Sequence, residues 1–575
     1  MSRPGNRASK SPSMGEPTQS PPVEGHGSDR KRVDAGRLLS PGSKSSACSE
    51  QPSLRESGDL EGASPRQTAS ADGNAKSDNP SVQVFEESDE VIVPEKSTKT
   101  WVTPVESMEG RTEAKGKSAA RNASRTQGRT NDAPTVMQRI GQRAKRKPEE
   151  KFTNLLSHIK IPLLKEAYES LRKGAASGVD GVTWAEYGVR LDERLMDLQD
   201  RIHRGSYHPH PVRRVHIPKG DGRTRPLGIP ALEDKIVQQA VRRILEPIYE
   251  AMFIGFSYGF RPKKSAHGAL DAVAAAIGRK VNWVLDADIR AFFDTIDHAW
   301  MQKFLEHQIG DSRMVRLLMK WMHAGVMEDG ELREVHEGTP QGGIISPLLA
   351  NIYLHYALDL WIQQWRQRHA HGEVYYVRYA DDFVVGLQRE QDARAIREAI
   401  AERLARFGLE LHPEKTRVIQ FGRFACEERK SQGLSKPETF EFLGFTHIAG
   451  TSRHGKFQLK RRTSRKKRNA KLAKLKEECE RRRHQNVADQ HKWLSSVLIG
   501  HYQYYGVPLN LDALRQMRDA VKQTWHRALQ RRSQRGKWTG EAMRHFEKRF
   551  PLPLPEIKHP WPDRRFDLRR PKVGA

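Results

Sequence analysis

Two adjacent aspartates, Asp381 and Asp382, interrupt a run of β-branched and aromatic residues in the segment VYYVRYADDFVVGL. The pieces VYYVRY and DFVVGL have the composition of strands, so a tight turn between them predicts a hairpin with both carboxylates at its tip. Like charges at one point repel, and a divalent cation between them relieves the repulsion. Carboxylate oxygens suit Mg²⁺, which binds through one or two carboxylates together with substrate phosphates. The alternative is a solvated turn that binds no metal.

A third carboxylate is available in the segment VLDADIRAFFDTIDH. Strand alternation places Asp286 and Asp288 on the same face of a strand, and spacing alone leaves both as candidates. A strand-end aspartate beside the hairpin would complete a three-carboxylate site for two metal ions. Two such ions activate the attacking oxygen and stabilise the leaving oxygen in phosphoryl transfer. Asp294 and Asp297 precede a helical pattern, and we assign them the simpler role of capping or decorating that helix.

The elements around these carboxylates alternate between helix and strand. Apolar residues recur at helical spacing in ALEDKIVQQAVRRILEPIYEAM, which predicts an amphipathic helix. The segments VNWVLDADI, VYYVRY, DFVVGL and FEFLGFTHI have strand-like composition, and helical segments such as QDARAIREAIAERLARFG lie between them. Strands and helices that alternate in one region predict a mixed α/β domain.

Composition limits the classes of partner and compartment. The chain has 575 residues, enough for several domains, and a formal charge of +28 from 99 Lys+Arg against 71 Asp+Glu. This excess favours a polyanionic partner such as nucleic acid over the alternative of a generally soluble basic protein. Three cysteines without paired spacing support neither a disulfide framework nor a four-cysteine zinc site. We find no apolar run of about 18 residues, so we expect a soluble protein of the cytoplasm without a membrane partner.

The first 148 residues differ from the rest of the chain. Ser, Pro, Gly and charged residues dominate them, with scarcely any hydrophobic periodicity. Such a stretch cannot bury enough apolar area to offset the entropy that is lost on ordering. We therefore predict a largely disordered extension at 1–148, with a short basic helix around TVMQRIGQRAKRK.

Eight segments of the chain have the motifs and the order found in reverse transcriptases encoded by group II introns, also called maturases. They cover about residues 170–450 and are RKGAASGVDG, IPKGDGRTRPLGIP, SYGFRPKKSAHGAL, DADIRAFFDTIDH, GTPQGGIISPLLANIYL, VRYADDFVV, LELHPEKT and FEFLGF. The chain resembles this family. The resemblance implies an α+β right-hand polymerase, with fingers and an antiparallel-sheet palm at 149–454 and an α-helical thumb, domain X, at 455–545. The tail at 546–575 would contact DNA or pack on the thumb.

The resemblance also implies which carboxylates bind metal. The first aspartate of the family's D-I-x-x-F-F-D block is a metal ligand, and it corresponds to Asp288 here. Together with Asp381 and Asp382 it would form the catalytic triad for two Mg²⁺ ions, with Mn²⁺ as a substitute. Some family members end in an HNH endonuclease with paired cysteines; because no cysteine follows Cys479, we predict none in this chain.

Five further residues match nucleotide-binding positions of the family. Phe293 corresponds to the aromatic that lies under the incoming sugar and excludes a 2′-OH, and Gln341 to the residue that contacts the nucleotide and the templating strand. Lys219 and Arg225 correspond to basic residues that grip the triphosphate. Lys415 resembles the lysine that protonates the leaving pyrophosphate. Each of these residues also has an ordinary alternative. Phe293 could be a core residue, Lys219 and Arg225 could lie in an exposed basic loop, and Lys415 could make a simple charge contact.

Beyond residue 450 the chain becomes strongly basic. From Lys460 to Arg483 there are 13 Lys/Arg against three Glu. Such a surface attracts a phosphate backbone in a salt-dependent way, although a solvated helix face would look the same. The segment HKWLSSVLIGHYQYYGVP is similar to domain X, which clamps the template–primer duplex and binds intron RNA. Its tyrosines could stack on unpaired bases or pack in a core.

The resemblance implies a bacterial enzyme that extends a 3′-OH with deoxynucleoside triphosphates on an RNA template. It implies that the enzyme binds its parent intron RNA and acts in splicing and in target-primed cDNA synthesis on target DNA. One alternative is an RNA-binding splicing cofactor that does not polymerise in the cell, against which the intact carboxylate set argues. Another alternative is a domesticated reverse transcriptase that serves DNA repair.

Overall fold

The computed structural model describes residues 135–218, 224–328, 331–333, 337–339, 342–532 and 539–562. Most of the predicted disordered extension at 1–148 therefore lies outside the described residues. The nucleotide contacts predicted for Lys219 and Gln341 lie outside them as well. Within the described residues, no helix is both long and apolar enough to cross a membrane.

Helices make up about half of the described chain. They are α1 (Val136–Arg146), α2 (Ile161–Ser170), α3 (Trp184–Gly188), α4 (Leu191–Arg204), α5 (Leu232–Glu250), α6 (Ala266–Ile277), α7 (His298–Gln308), α8 (Ser312–Met322), α9 (Ser346–Leu354), α10 (Leu360–Arg368), α11 (Glu390–Ala405), α12 (Ala425–Ser431), α13 (Arg465–Arg481), α14 (Val487–Tyr505), α15 (Leu511–Gln530) and α16 (Gly540–Arg549). Short 3₁₀ turns lie at Leu156–His158 and Phe292–Asp294, and a π-helical turn joins α9 to α10 at His355–Asp359.

The strands are short and form three sheets within the described residues. They are β1 (Val212–Pro218), β2 (Thr224–Ile229), β3 (Trp283–Asp288), β4 (Val326–Glu328), β5 (Glu331–Arg333), β6 (Val374–Tyr379), β7 (Asp382–Leu387), β8 (Arg417–Gln420), β9 (Phe440–Phe442), β10 (Phe445–Thr451) and β11 (Phe457–Thr463). The sheets have the strand orders β2-β1-β4-β5, β6-β7-β3-β8 and β11-β10-β9.

The β6-β7-β3-β8 sheet, here called the palm sheet, is antiparallel throughout. Its side chains alternate between two hydrophobic clusters, as strand periodicity requires. Val284, Val377 and Val384 lie on the face that packs against α6. Leu285 and Val385 lie on the opposite face, in the main core with α11. The mixture of helices with antiparallel sheets confirms the predicted α+β class.

The first part of the chain packs around α5, the amphipathic helix predicted from ALEDKIVQQAVRRILEPIYEAM. The predicted short basic helix is α1, which begins with a capping box at Thr135. Its apolar residues Ile140 and Ala144 are buried, and its basic residues face away from them. At Gly141 a Cβ would lie 3.2 Å from the Cβ of Pro247, so the absence of a side chain lets α1 approach α5 closely.

One predicted strand is two strands in the structure. The segment FEFLGFTHI was expected to be continuous, but Phe442 pairs with Phe445 across a two-residue turn. Both turn residues are left-handed, with φ of 50° at Leu443 and 79° at Gly444. Such paired positive angles match the right-handed twist of a hairpin, so β9 and β10 can fold directly onto each other.

The C-terminal helices form a separate cluster, here called the thumb, in which α13 and α14 both pack on α15. Leu475 and Cys479 are the buried residues of α13, whereas most of its basic side chains are exposed. The predicted aromatic helix is α14. The described tail returns to it, since the Tyr502 hydroxyl donates to the Pro553 carbonyl at 3.2 Å.

Candidate active site

The palm sheet brings the predicted carboxylates together at the end of β3. Tyr379 pairs with Asp382, which leaves Ala380 and Asp381 as a two-residue turn. Asp382 also pairs with Asp288 on the neighbouring strand. Asp382 is therefore the first residue of β7, and Asp381 alone of the two lies within the turn. The hairpin predicted from sequence is present, and it juxtaposes one aspartate of β3 with the aspartate pair.

The cross-strand register separates Asp286 from Asp288. Asp288 lies opposite Asp382, whereas Asp286 lies two residues further into the sheet, opposite Val384. Asp286 is mostly buried and its carboxylate lies 3.7 Å from the Arg417 guanidinium. Burial raises the pKa of Asp286 to about 7, although Arg417 opposes the shift. Of the two candidates, Asp288 is thus the one at the sheet edge beside the turn.

The three carboxylates together hold more negative charge than their surroundings compensate. Burial raises the pKa of Asp382 well above its ordinary value, and the neighbouring charges of Asp286, Asp288 and Asp381 raise it further. Burial also raises the pKa of Asp381, while the positive charges of Arg225 and Lys415 partly oppose this. Clustered carboxylates with raised pKa values are frequent at functional sites.

The donor set fits a divalent cation. All three side chains offer hard oxygen ligands, and their mutual repulsion is what a bound cation would remove. In the geometry of the described residues, no group of three His, Cys, Asp or Glu side chains is arranged closely enough to hold a metal ion. The Lys415 ammonium donates to Oδ2 of Asp288. It therefore occupies one oxygen that a metal ion would take, and it must release that oxygen when an ion binds.

Lys415 and Arg225 come to the site from opposite sides. Lys415 follows α11 in a turn in which its own amide donates to the His412 carbonyl at 3.2 Å, and the His412 amide donates to the Asp288 carbonyl at 2.8 Å. Arg225 is exposed on β2, opposite Ile217. Its positive charge partly opposes the rise that burial causes in the pKa of Asp381. Arg225, predicted to grip the triphosphate, and Lys415, predicted to protonate the leaving pyrophosphate, therefore both border the carboxylates.

Phe293 lies directly after β3, in the 3₁₀ turn that follows the left-handed Ala291. Its ring is only 8% exposed and packs edge-to-face on Phe292, with centroids 5.4 Å apart. Its carbonyl accepts from the amide of Thr339 at 2.7 Å. Phe293 is thus packed mostly as a core residue.

Asp297 has the capping role predicted for it. Its carboxylate accepts from the amide of Trp300 at 2.7 Å, at the N-terminus of α7. The tyrosines of α14 pack in two hydrophobic clusters, which agrees with the predicted core role, and base stacking stays a prediction. Tyr502 is buried in the thumb, whereas Tyr504 and Tyr505 pack against the β9–β10 hairpin near the palm. The Tyr504 hydroxyl donates to the carbonyl of Leu443 at 2.9 Å.

Sequence reasoning missed a buried polar cluster behind the turn. Arg378, the residue before Tyr379, is fully buried and pairs with the equally buried Asp359. Its guanidinium also bonds to Asn351 and to the Ala380 carbonyl. The available signal was an arginine within the otherwise apolar strand VYYVRY, since a charged residue in a buried strand requires a partner.

An antiparallel palm sheet with carboxylates at the ends of its inner strands, followed by a helical thumb, is the arrangement of a nucleic acid polymerase of the right-hand class. The family model described as "Reverse transcriptase (RNA-dependent DNA polymerase)" matches residues 217–447. Protein YkfC of Escherichia coli (strain K12) is 36% identical over 322 residues, which cover 50% of this chain and 80% of YkfC.

Proteins encoded within introns are also similar. Group II intron-encoded protein LtrA of Lactococcus lactis subsp. cremoris is 37% identical over 235 residues, which cover 40% of this chain and 39% of LtrA. The 91 kDa protein in the cob intron of Schizosaccharomyces pombe is 39% identical over 177 residues, which cover 30% of this chain and 22% of that protein. This chain belongs to the reverse transcriptase family, and it is similar to proteins encoded by group II introns. Reverse transcriptases of this kind use divalent metal ions.

Proposed function

We propose that this protein is the RNA-directed DNA polymerase of a group II intron, and that it also binds the intron RNA to assist splicing and target-primed cDNA synthesis. The observation that carries the proposal is the register of β3 on β7, which sets Asp288 opposite Asp382 and beside the turn of Asp381. A protein that only bound RNA would have no use for three repelling carboxylates at one sheet edge. We assign fingers and palm to 149–454 and the thumb to 455–545.

Asp288, Asp381 and Asp382 would hold Mg²⁺, or Mn²⁺ as a substitute, which supplies activation of the primer 3′-OH and stabilisation of the leaving pyrophosphate. Arg225 faces the same carboxylates and neutralises the triphosphate of the incoming deoxynucleotide. Lys219, in the same segment of sequence, shares this role. Lys415 releases Asp288 and donates a proton to the pyrophosphate as it leaves.

Two residues would select the nucleotide. The Phe293 carbonyl accepts from the Thr339 amide, and we assign the edge of the Phe293 ring to the position under the incoming sugar. A 2′-OH would collide with that edge, which favours deoxynucleotides. Gln341, two residues after Thr339 in sequence, contacts the nucleotide and the templating strand.

RNA binding is assigned to the exposed basic side of α13. Arg465, Lys466 and Lys467 are exposed in its first turn, and Lys474 and Lys476 are exposed further along. Phosphate neutralisation by such side chains gives strong and salt-dependent binding. The partners are therefore the parent intron RNA, an RNA template with its primer, and target DNA. We place the enzyme in the bacterial cytoplasm.

Primer extension on an RNA template with Mg²⁺ and deoxynucleotides tests the polymerase, with the Asp381→Asn/Asp382→Asn double variant alongside. Filter binding of the intron RNA is measured on both proteins. We expect extension by the wild type, no extension by the variant, and equal RNA binding by both. A folded wild type that binds the RNA but does not extend the primer would favour a splicing cofactor instead.

A further inference from the structure

The polar cluster behind the Ala380–Asp381 turn, here called the catalytic turn, is centred on Arg378. In β6 this residue lies between Val377 and Tyr379, and alternation directs its side chain away from the carboxylate face into the main core. The side chain is completely buried, as is that of Asp359. The guanidinium donates to Asp359 twice, from Nε to Oδ1 at 2.8 Å and from Nη2 to Oδ2 at 2.5 Å. This bidentate pair fixes the plane of the guanidinium.

The remaining guanidinium nitrogen connects this ion pair to the catalytic turn. Nη1 of Arg378 donates to the carbonyl of Ala380 at 3.0 Å and to Oδ1 of Asn351 at 3.0 Å. Ala380 has a φ of 59°, a left-handed conformation that is strained for a residue other than glycine. The hydrogen bond from Arg378 therefore fixes the orientation of the Ala380 carbonyl. Asp381 is the next residue.

A second connection passes through Asn351. Its Nδ2 donates to the carbonyl of Gly259 at 2.8 Å. Gly259 packs against the other side of the same turn, where a Cβ would lie 2.4 Å from the Ala380 amide nitrogen. The turn is thus enclosed between Gly259 and the Arg378 guanidinium, and Asn351 bonds to both.

Asp359 reaches this position because of a break in helix geometry. It is the last residue of the π-helical turn His355–Asp359 that joins α9 to α10. A π-turn adds a residue to a helical turn and so redirects the side chains that follow; such turns are frequent at functional sites. The Tyr376 hydroxyl also donates to Oδ1 of Asp359 at 3.2 Å. The carboxylate is thereby held in place from two strand positions.

We propose that the Arg378–Asp359 pair positions the Ala380–Asp381 turn, and thereby sets how tightly the carboxylate triad binds its divalent metal. The inference rests on the proposed function. Stability alone does not account for the pair, because a buried ion pair can often be replaced by apolar side chains without loss of stability. Substitution of residues that orient metal ligands from behind lowers metal affinity by roughly 10–100-fold.

The chain offers a matched control in the Arg461–Asp271 pair. This pair is also buried, with side chains 4% and 3% exposed and Nη1 of Arg461 2.5 Å from Oδ1 of Asp271. It joins β11 to α6, away from the contacts that Gly259 and Arg378 make with the turn. The variants Arg378→Met and Arg461→Met each leave one buried carboxylate without its arginine. Both substitutions should lower Tm by similar amounts. Only Arg378→Met removes the hydrogen bond to the Ala380 carbonyl.

The experiment measures Mn²⁺ binding by electron paramagnetic resonance, on protein with an RNA template, a dideoxy-terminated primer and the next deoxynucleotide, so that no turnover occurs. We expect Arg378→Met to weaken Mn²⁺ binding by about 10-fold or more, and Arg461→Met to leave it unchanged. Arg378→Lys should fall between them, because an ammonium cannot reproduce the guanidinium's bidentate geometry. The Mg²⁺ concentration for half-maximal extension should rise in the same order.

Equal Mn²⁺ affinity in Arg378→Met and Arg461→Met would overturn the proposal and leave the pair a purely structural feature. Asn351→Ala provides a milder variant if the arginine variants do not fold: it removes one bond to Arg378 and the bond to Gly259. It should weaken Mn²⁺ binding with a small change in Tm, and unchanged Mn²⁺ binding would again overturn the proposal. Absence of extension by the wild type would contradict the proposed function alone, because Mn²⁺ binding is read without turnover.

Discussion

Uncompensated negative charge dominates the candidate active site at the scale of single residues. The pKa values of Asp286, Asp381 and Asp382 are all raised, and burial is the first cause in each case. Protons therefore compete with a cation for these carboxylate oxygens. Metal affinity should accordingly increase as pH rises through the pKa values of these carboxyls.

Asp286 allows this electrostatic account to be tested through stability. Its carboxyl has a pKa of about 7 in the folded protein, against about 3.9 for an unfolded chain. A group whose folded-state pKa is raised contributes fully to stability only below its unfolded pKa, and this contribution is lost as pH rises toward 7. The side chain of Asp286→Asn stays neutral at every pH. We therefore expect the Tm of this variant to rise relative to that of the wild type as pH increases from 5 to 8. Thermal unfolding in EDTA measures the difference.

Asp519→Asn is the control for that titration, because Asp519 is 59% exposed and distant in sequence from the palm. Its Tm difference from the wild type should show little dependence on pH. A difference for Asp286→Asn that is constant with pH, or that grows as pH falls, would contradict the assignment of a raised pKa.

Local patterns predicted some residues of the site but not those with distant partners. The hairpin of Asp381 and Asp382 and the helix cap of Asp297 depend on neighbours within a few residues, so sequence could predict them. The choice between Asp286 and Asp288 depends on the register of β3 on β7, which spacing alone did not determine. The partner of Arg378 depends on a π-turn 19 residues earlier, and no pattern in the sequence indicated it.

At the scale of elements, the catalytic turn depends on a close backbone approach. Gly259 lies where the loop after α5 meets the turn between β6 and β7, and the Asn351 amide fixes its carbonyl. A Cβ at this glycine would lie 2.4 Å from a backbone nitrogen, which has no flexible end to move aside. Any side chain must therefore displace the turn that bears Asp381.

We expect Gly259→Ala to slow primer extension by up to ~10²-fold, because a misplacement of about 1 Å has that effect on a catalytic group. RNA binding should be unchanged, since the thumb is unaffected. The control is Gly174→Ala, where an added Cβ meets nothing within 4 Å. Extension by Gly259→Ala at the rate of Gly174→Ala would show that the turn tolerates displacement.

Element prediction succeeded where periodicity was strong and failed where a turn had an unusual residue. The helix α5 and the strands β6 and β7 follow the expected segments. The hairpin of β9 and β10 was predicted as one strand, because Leu443 is a residue type that rarely adopts a positive φ. The Tyr504 hydroxyl, 61 residues later in the sequence, donates to the Leu443 carbonyl. This contact stabilises a turn that the local sequence does not favour.

At the scale of the whole molecule, positive charge is concentrated on the thumb. The formal charge of +28 indicated a polyanionic partner, and the exposed basic residues of α13 place part of that charge on one helix. The same helix buries only Leu475 and Cys479. Such an element contributes little apolar area to the core and leaves most of its length available to a phosphate backbone.

Lys466→Gln/Lys467→Gln should weaken binding of intron RNA and reduce the slope of log K against log salt concentration. Each lost phosphate contact lowers that slope by roughly 0.7–0.9. The charge-matched control is Arg394→Gln/Arg397→Gln, which removes two exposed basic residues from α11 in the palm. Binding isotherms at several KCl concentrations measure both. Equal slopes for the two variants would show that α13 is a solvated face without a role in RNA binding.

The central claim is that strand register makes Asp288, Asp381 and Asp382 the metal-binding site of an RNA-directed DNA polymerase. Its most direct test is primer extension on an RNA template with Mg²⁺ and deoxynucleotides at pH 8, comparing Asp288→Asn with Asp286→Asn. The two changes are chemically identical and lie on the same strand face, two residues apart. We predict that Asp288→Asn abolishes extension and that Asp286→Asn retains a rate near that of the wild type. Extension by Asp288→Asn, or its loss in Asp286→Asn alone, would contradict the account.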